Sequence, residues 1–130
     1  MATTPQIPPA TYAFLRAEFV HAVNGKAEVR FRPNEEMTNP YGAVQGGILA
    51  AMMDDTVGPA MFSLPISRPF TTVAMTTHYL RAVKPGDVLI GRSEVIRAGR
   101  TQALIEATLH RESDNELLAK ASVTNVYLDP

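Results

Sequence analysis

The chain has 130 residues, of which 45% are hydrophobic and 19% charged, so it can form the core of one globular domain. The formal net charge is -1 and no run of Lys and Arg occurs, which argues against a nucleic-acid partner. No apolar run is long enough to span a membrane, and the absence of cysteine excludes disulfides, thiolate metal ligands and a cysteine nucleophile. We expect a cytoplasmic protein without nucleic-acid or membrane partners.

The first ten residues, MATTPQIPPA, are rich in Pro and Thr and predict a flexible tail at 1–10, ahead of a single domain at 11–130. Residues 12–24 suit a short helix that runs into a strand. Residues 26–32 alternate, with Ala27, Val29 and Phe31 on one face, as in a strand that is exposed on its other face. A turn-rich connection follows at 33–42.

The segment QGGILAAMMDDTVGPAMF predicts a helix that is apolar on every side from Ile48 to Met53, and such a helix is expected to be buried. The second half predicts strands at about 70–80, 88–97, 101–111 and from 117 onward, with turns at 84–87, 98–99 and 113–115. The short connections indicate an antiparallel meander. Together these segments predict an α+β domain in which five or six antiparallel strands wrap around one long helix.

Gly46 and Gly47 stand at the start of the predicted helix, where each Gly costs about 1 kcal/mol relative to Ala in a helix interior. Two adjacent glycines suggest that a ligand approaches the backbone closely. The free N–H groups and the helix dipole at this end would suit a carbonyl oxygen that acquires negative charge. The alternative is that the glycines only pack against a neighbouring strand.

Asp54 and Asp55 end the apolar run, and a carboxylate on a buried helix is costly unless it is paired or functional. The alternative is that both face solvent. Adjacent helical residues point about 100° apart, so we expect at most one of them to face a shared site. Gly46 lies eight residues before Asp54, or about 12 Å along the helix. If both act on one carbonyl group, they must come from different subunits of a two-fold dimer.

The pattern Asn-x-x-Gly-x-x-His-Gly-Gly, with an acidic residue nine positions after the His, is matched by Asn39, Gly42, Gln45, Gly46, Gly47 and Asp54. With the segments HYLRAVKPGD, VIRAGRTQALIEATL and ELLAKASVTNVYL, the chain resembles the hotdog-fold thioesterases, in particular their phenylacetyl-CoA-thioesterase-like branch, over residues 25–128. The resemblance implies a hotdog fold and hydrolysis of an acyl-CoA. It also implies a homodimer, assembled as a dimer of dimers, with no cofactor or metal.

The resemblance also assigns roles to residues of this chain. The Gly46 N–H would polarise the thioester carbonyl, Asp54 of the partner subunit would be nucleophile or general base, and Asn39 would support the loop and Gln45 by hydrogen bonding. Further candidates for contact with the substrate are two residues of the helix and four basic residues near the CoA phosphates: Gly47, Thr56, Arg81, Lys84, Arg97 and Arg100.

Two positions depart from the pattern. Gln45 replaces the usual His and cannot shuttle a proton near neutral pH, and Gly58 stands where some members have Ser or Thr. Gln45 leaves two alternatives open, a non-catalytic acyl-CoA-binding hotdog protein and a hotdog dehydratase or hydratase, which usually needs a His beside the acid. The three histidines lack metal-ligand spacing and are predicted to lie on strands or at the surface: His21, His78 and His110.

Overall fold

A computed structural model describes residues 6–129. Within this range there are two helices and six strands, together with a short 3-10 turn at Glu35–Met37. In chain order they are α1 (Thr11–Leu15), β1 (Ala17–Val23), β2 (Lys26–Phe31), α2 (Gly46–Phe62), β3 (Phe70–Tyr79), β4 (Leu89–Ala98), β5 (Gln102–Arg111) and β6 (Leu117–Tyr127). The predicted elements are confirmed, including the short helix that leads into the first strand.

The six strands form one antiparallel sheet in the order β1-β2-β4-β5-β6-β3. The period-2 pattern gives the sheet a buried face against α2. On β2 this face carries Val29 and Phe31, and on β5 it carries Ile105 and Leu109; all four have no exposed surface. One long helix packed on one face of an antiparallel sheet confirms the predicted α+β architecture.

The expected meander is correct for β4, β5 and β6 but wrong for β3. Strand β3 pairs with β6 and forms one edge of the sheet, whereas β4 lies between β2 and β5. The connection at 80–88 therefore crosses the sheet instead of forming a hairpin. Residues of this crossover are held by backbone hydrogen bonds from Leu80 and Arg81 to the Leu118 carbonyl, and Val83 is buried below the start of α2. The local turn signal at 84–87 could not reveal this long-range pairing.

The two sides of α2 have different surroundings. Its sheet-facing residues are buried: Leu49, Met52, Met53, Thr56, Val57, Ala60 and Met61. Several residues on the opposite side are only partly buried within one chain, among them Ile48, Ala51, Asp54 and Asp55. Complete burial was expected and is found for one side only. Gly91 on β4 allows the close approach of α2, because a Cβ atom there would overlap the Thr56 hydroxyl and lie 3.0 Å from Phe31 Cε2.

Helix α1 covers the middle of α2 through the buried side chains of Tyr12 and Leu15. Residues 1–5 of the predicted tail lie outside the described residues. Residues 6–9 border a cavity beside α2. Within residues 6–129, no helix is both long enough and apolar enough to cross a membrane.

Candidate active site

The start of α2 is fixed by the loop before it and by the crossover below it. The Gln45 N–H donates to the Met37 carbonyl at 2.8 Å, and the Val44 N–H donates to the Val83 carbonyl at 2.7 Å. The loop itself is folded around Asn39, whose Oδ1 accepts from the N–H groups of Tyr41 (2.9 Å) and Ala43 (3.2 Å). Asn39 thus supports the loop as predicted, but its side chain bonds to these two amides and not to Gln45.

Gly46 is the first residue of α2, with Gln45 as the residue before it in extended conformation. Its N–H has no acceptor among the residues that the structure describes, as expected for the first turn of a helix. The Tyr79 hydroxyl donates to the Gly46 carbonyl at 2.7 Å, and a Cβ atom on Gly46 would lie 3.1 Å from Tyr79 Cζ. Gly46 therefore does pack against a neighbouring strand, and its N–H is nevertheless left free.

Gly47 has a different environment. The nearest atom to a Cβ built on it is Gln45 Oε1, at 3.8 Å. The Gln45 side chain is exposed and does not cap the helix. The helix start thus presents free backbone N–H groups next to an exposed amide side chain, with no ionisable group at position 45.

Asp54 lies in the middle of α2, on its partly buried side. Its Oδ1 accepts a hydrogen bond of 2.8 Å from the Thr72 hydroxyl on the edge strand β3. Thr72 was not predicted from the sequence. No local signal marks it, because its relation to Asp54 arises only when β3 crosses to the far side of β6 and packs beside α2.

Asp55 is bound from the other direction, by the hydroxyl of Thr11 at the start of α1. Burial raises the pKa of Asp55, the Thr11 hydrogen bond opposes this shift, and the nearby charge of Asp54 adds to it. Burial, followed by the charge of Asp55, raises the pKa of Tyr12 to about 12.

A cavity of about 1120 Å³ extends along the Asp54 side of α2. Both aspartates border it, although their carboxylates are held from different directions, Asp54 by Thr72 and Asp55 by Thr11. Its wall is largely apolar and includes four aromatic residues, Tyr12, Phe19, Phe62 and Phe70. No histidine of the described residues lines it, and the predicted positions of His21, His78 and His110 on strands are confirmed.

Arg68 is the cationic residue in the wall of this cavity, and its guanidinium is already engaged. It pairs with Asp129 at 2.7 Å, donates to the Arg100 carbonyl at 2.8 Å and stacks 3.8 Å from the centre of the Tyr127 ring. Among residues 6–129, the remaining charges in the wall are the two carboxylates. The cavity therefore suits an uncharged apolar group better than a phosphate.

The position of Thr56 does not fit its predicted role in substrate binding. Its side chain is 0% exposed and its hydroxyl donates to the Met52 carbonyl at 2.8 Å within α2. It faces the sheet, against Gly91, because it lies about 200° around the helix from Asp54. Thr56 is a core residue.

The four basic candidates do not form one cluster within a chain. Arg81 and Lys84 lie in the crossover near the start of α2, where Arg81 pairs with Glu116 at 3.0 Å. Arg97 and Arg100 lie at the other end of β4, about 30 Å away for a ten-residue strand. All four side chains are exposed. Among the described residues, no group of three or more His, Asp or Glu has the arrangement of a metal site.

Similar solved structures share this fold. A conserved protein of Pseudomonas aeruginosa is 30% identical with a TM-score of 0.84, over 92% of this chain and 94% of that one. A hypothetical thioesterase of Streptococcus pneumoniae, solved with coenzyme A, is 25% identical with a TM-score of 0.80, over 85% and 84%. The PaaI protein of E. coli, from the phenylacetic acid degradation operon, is 19% identical and has a TM-score of 0.86 over 94% and 86%. The fold is the hotdog fold.

Sequence comparison agrees with the structural one. Human acyl-coenzyme A thioesterase 13 is 27% identical over 105 residues, which are 81% of this chain and 75% of that protein. The family model of the thioesterase superfamily matches residues 41–118, which include the glycine pair, both aspartates and Thr72. Since this match covers more than half of the chain, the protein belongs to the thioesterase superfamily.

Proposed function

We propose that this protein is an acyl-CoA thioesterase that works as a homodimer. The observation that carries the proposal is the Asp54 carboxylate, held by Thr72 at the wall of a largely apolar cavity, on the same helix whose first N–H group is free at Gly46. A carboxylate and a separate N–H donor are the two groups that hydrolysis of a thioester needs, one for the attacking water and one for the oxyanion.

The acyl group occupies the cavity beside Asp54. Its apolar and aromatic wall would bind a hydrocarbon or aryl chain, and its carboxylates would repel the phosphates of CoA. The phosphates therefore lie outside, near the exposed basic residues of the sheet ends. The streptococcal neighbour solved with coenzyme A supports this class of ligand.

The active site combines two subunits. Gly46 and Asp54 of one chain are about 12 Å apart along α2, too far to act on one carbonyl group. Strand β3 is an unpaired edge with exposed Val73 and Tyr79, and the partly buried side of α2 lies next to it. A two-fold contact along this edge would cover both features and create two equal sites. Two such dimers would then form the dimer of dimers.

The reaction follows from this arrangement. Asp54 of the partner subunit removes a proton from a water molecule, whose oxygen attacks the thioester carbon. The Gly46 N–H stabilises the resulting oxyanion. When the tetrahedral intermediate collapses, the C–S bond breaks and the CoA thiolate takes up the proton from Asp54. In the nucleophilic alternative, the carboxylate attacks first and forms a mixed anhydride, which water then hydrolyses.

Gln45, in place of the usual His, is the main departure from the family pattern. Its side-chain amide can donate a hydrogen bond to the thioester carbonyl and so orient it, but it carries no ionisable proton. We therefore assign all proton transfer to Asp54, and expect the activity to show no ionisation from position 45.

The test is release of free thiol from a panel of aryl, short and long aliphatic acyl-CoAs, by the wild type and the Asp54→Asn variant. General-base catalysis contributes about 10²- to 10⁴-fold, so turnover should fall by that factor while the fold and the dimer remain. Asp55→Asn is the matched comparison and should retain far more activity, because Asp55 is not at the acidic position of the thioesterase pattern. Wild-type turnover in Asp54→Asn would refute the assignment, and acyl-CoA binding without thiol release would favour a binding protein.

A mixing experiment tests the shared site. Gly46→Pro removes the N–H at the first helical position, which accepts Pro, and the extended Gln45 backbone is compatible with a following Pro. Tyr79→Ala in the same chain makes room for the proline ring, which would otherwise meet the Tyr79 side chain. A chain with Tyr79→Ala alone is the control. When the variant with both substitutions is refolded 1:1 with a chain that carries Asp54→Asn and Tyr79→Ala, half of the dimers are hybrids with one intact site of two, so about a quarter of the Tyr79→Ala activity should return. No recovery would place both groups in one chain.

A further inference from the structure

Asn125 on β6 carries a polar side chain in the core that the proposed chemistry does not use. It is 1% exposed and follows Ala119, Ala121 and Val123 in the inward-facing row of the strand. Its Nδ2 is buried without a hydrogen-bond partner among the described residues. A buried donor without a partner costs about 1–3 kcal/mol, whereas an apolar residue of the same shape would cost nothing of this kind. The amide is therefore not explained by packing.

Asn125 stands directly opposite Thr72 in the pairing of β6 with β3. The Thr72 hydroxyl lies 3.1 Å from Asn125 Oδ1 and 2.8 Å from Asp54 Oδ1. A hydroxyl has one proton, so it can be donated to only one of these two oxygens. If Asn125 presents its oxygen to Thr72, it competes with Asp54 for that proton.

A rotation of the Asn125 side-chain amide by half a turn exchanges its oxygen and nitrogen, and this removes the competition for the Thr72 proton. Nδ2 then points at Thr72 Oγ1 and donates to it, and the Thr72 proton is committed to Asp54. The buried N–H gains its acceptor, and the carbonyl oxygen that takes its place is the less costly group to leave unpaired. The result is a chain of hydrogen bonds that runs in one direction, from Asn125 through Thr72 to Asp54, and each bond strengthens the next.

We propose that Asn125 is a positioning residue of the thioesterase site, which fixes the direction of the Thr72 hydroxyl and thereby the orientation of the Asp54 carboxylate. With Oδ1 held by Thr72, Oδ2 is the oxygen that faces the water or the thioester. Asn125 itself touches no substrate atom. The inference rests on the proposed function, since it assigns Asn125 a part in the same reaction.

Three variants separate this role from a structural one. Asn125→Leu keeps the branching of the side chain but removes its hydrogen bonds, and Thr72→Val does the same for the hydroxyl. A hydrogen bond in a chain that ends on a carboxylate is worth about 10- to 100-fold in rate, so each variant should lower kcat by that factor with KM nearly unchanged. The double variant should lose no more than Thr72→Val alone, because the two residues act in series.

Asn125→Asp adds a readout that packing cannot imitate. While the introduced carboxyl group is protonated, it can donate to Thr72 as the amide does. Once ionised, it accepts the Thr72 proton instead and places a second charge near Asp54. This variant should therefore approach wild-type kcat at low pH and lose activity as the pH rises. The pH profiles of the wild type and Asn125→Leu should lack this decrease.

The experiment measures kcat and KM of the wild type, Asp54→Asn and these variants across the range from weakly acidic to weakly alkaline pH, with thermal unfolding alongside. Reduced kcat in Asn125→Leu at undiminished stability, with no further loss in the double variant, is the expected result. Turnover that is abolished in Asp54→Asn but unchanged in Asn125→Leu, or losses that multiply in the double variant, would overturn this inference alone. Absence of turnover in the wild type would overturn the proposed function and this inference together.

Discussion

The two sides of α2 differ in what they contribute. The sheet-facing side carries buried residues such as Leu49, Met53 and Val57, which fill the core. The opposite side carries Asp54 and Asp55, which border a cavity and remain partly exposed. One side therefore provides the stability of the fold, and the other stays partly exposed within the chain, where the proposed substrate and second subunit would contact it. The same short segment serves both purposes because a helix separates adjacent residues by about 100°.

The largest effect on stability is expected from a truncation on the sheet-facing side. Met53→Ala removes a side chain with no exposed surface and should lower the free energy of unfolding by about 2–5 kcal/mol. Ile48→Ala on the other side is the matched truncation and should cost clearly less in the isolated chain, because Ile48 is partly exposed. Chemical denaturation measures both. Equal losses would show that the two sides contribute alike.

A methyl group added on the sheet-facing side should also be harmful. Gly91→Ala on β4 places a Cβ atom against Thr56 and Phe31, and overpacking of this kind costs about 1–3 kcal/mol. The melting temperature should fall accordingly. Combining it with Thr56→Ala, which removes the obstructing hydroxyl, should cost less than the sum of the two single losses; simple additivity would contradict the contact.

The same change on the cavity side should have a much smaller effect. Gly58 is in the interior of α2, and beyond its chain neighbours the nearest atom to an added Cβ is Phe62 Cε2, at 4.0 Å. Gly58→Ala gains helix propensity worth up to about 1 kcal/mol, but Pro59 follows it and disfavours a helical backbone at a residue that carries a Cβ atom. The melting temperature should therefore change little, and a loss as large as that of Gly91→Ala would mean that this side is as tightly packed as the other.

The smallest effect concerns pH. Because the pKa of Asp55 is raised in the folded protein, the folded state binds its proton more tightly than the unfolded state. Its contribution to stability is therefore lost as the pH rises through the folded pKa. Asp55→Asn should melt slightly higher than the wild type at neutral pH, and the difference should vanish below the ordinary carboxyl value of 3.8. If the difference in melting temperature grew on acidification, the pKa of Asp55 would be lowered in the folded protein and not raised.

Much of the fold could be predicted because its signals are local. The alternation of Ala27, Val29 and Phe31 and the apolar run of α2 each reflect which faces must leave water. The candidate site was found from Gly46 and Asp54 because an unusual residue on a buried helix is visible without any long-range contact. Thr56 is a core residue although it lies only two positions from Asp54, because two helical steps turn its side chain to the sheet.

The sequence alone determined the element types, the buried helix, the carboxylate at its centre and, through helical geometry, the need for a second subunit if both groups act together. The position of β3 at the edge beside β6, the hydrogen bond from Thr72 to Asp54 and the place of Asn125 behind Thr72 are visible only in the folded chain. Periodicity and propensity could not reveal them, because these signals act over a few residues. The pairing of β3 with β6, by contrast, joins segments that are far apart in the chain, and it depends on how the whole chain can bury its apolar faces at once.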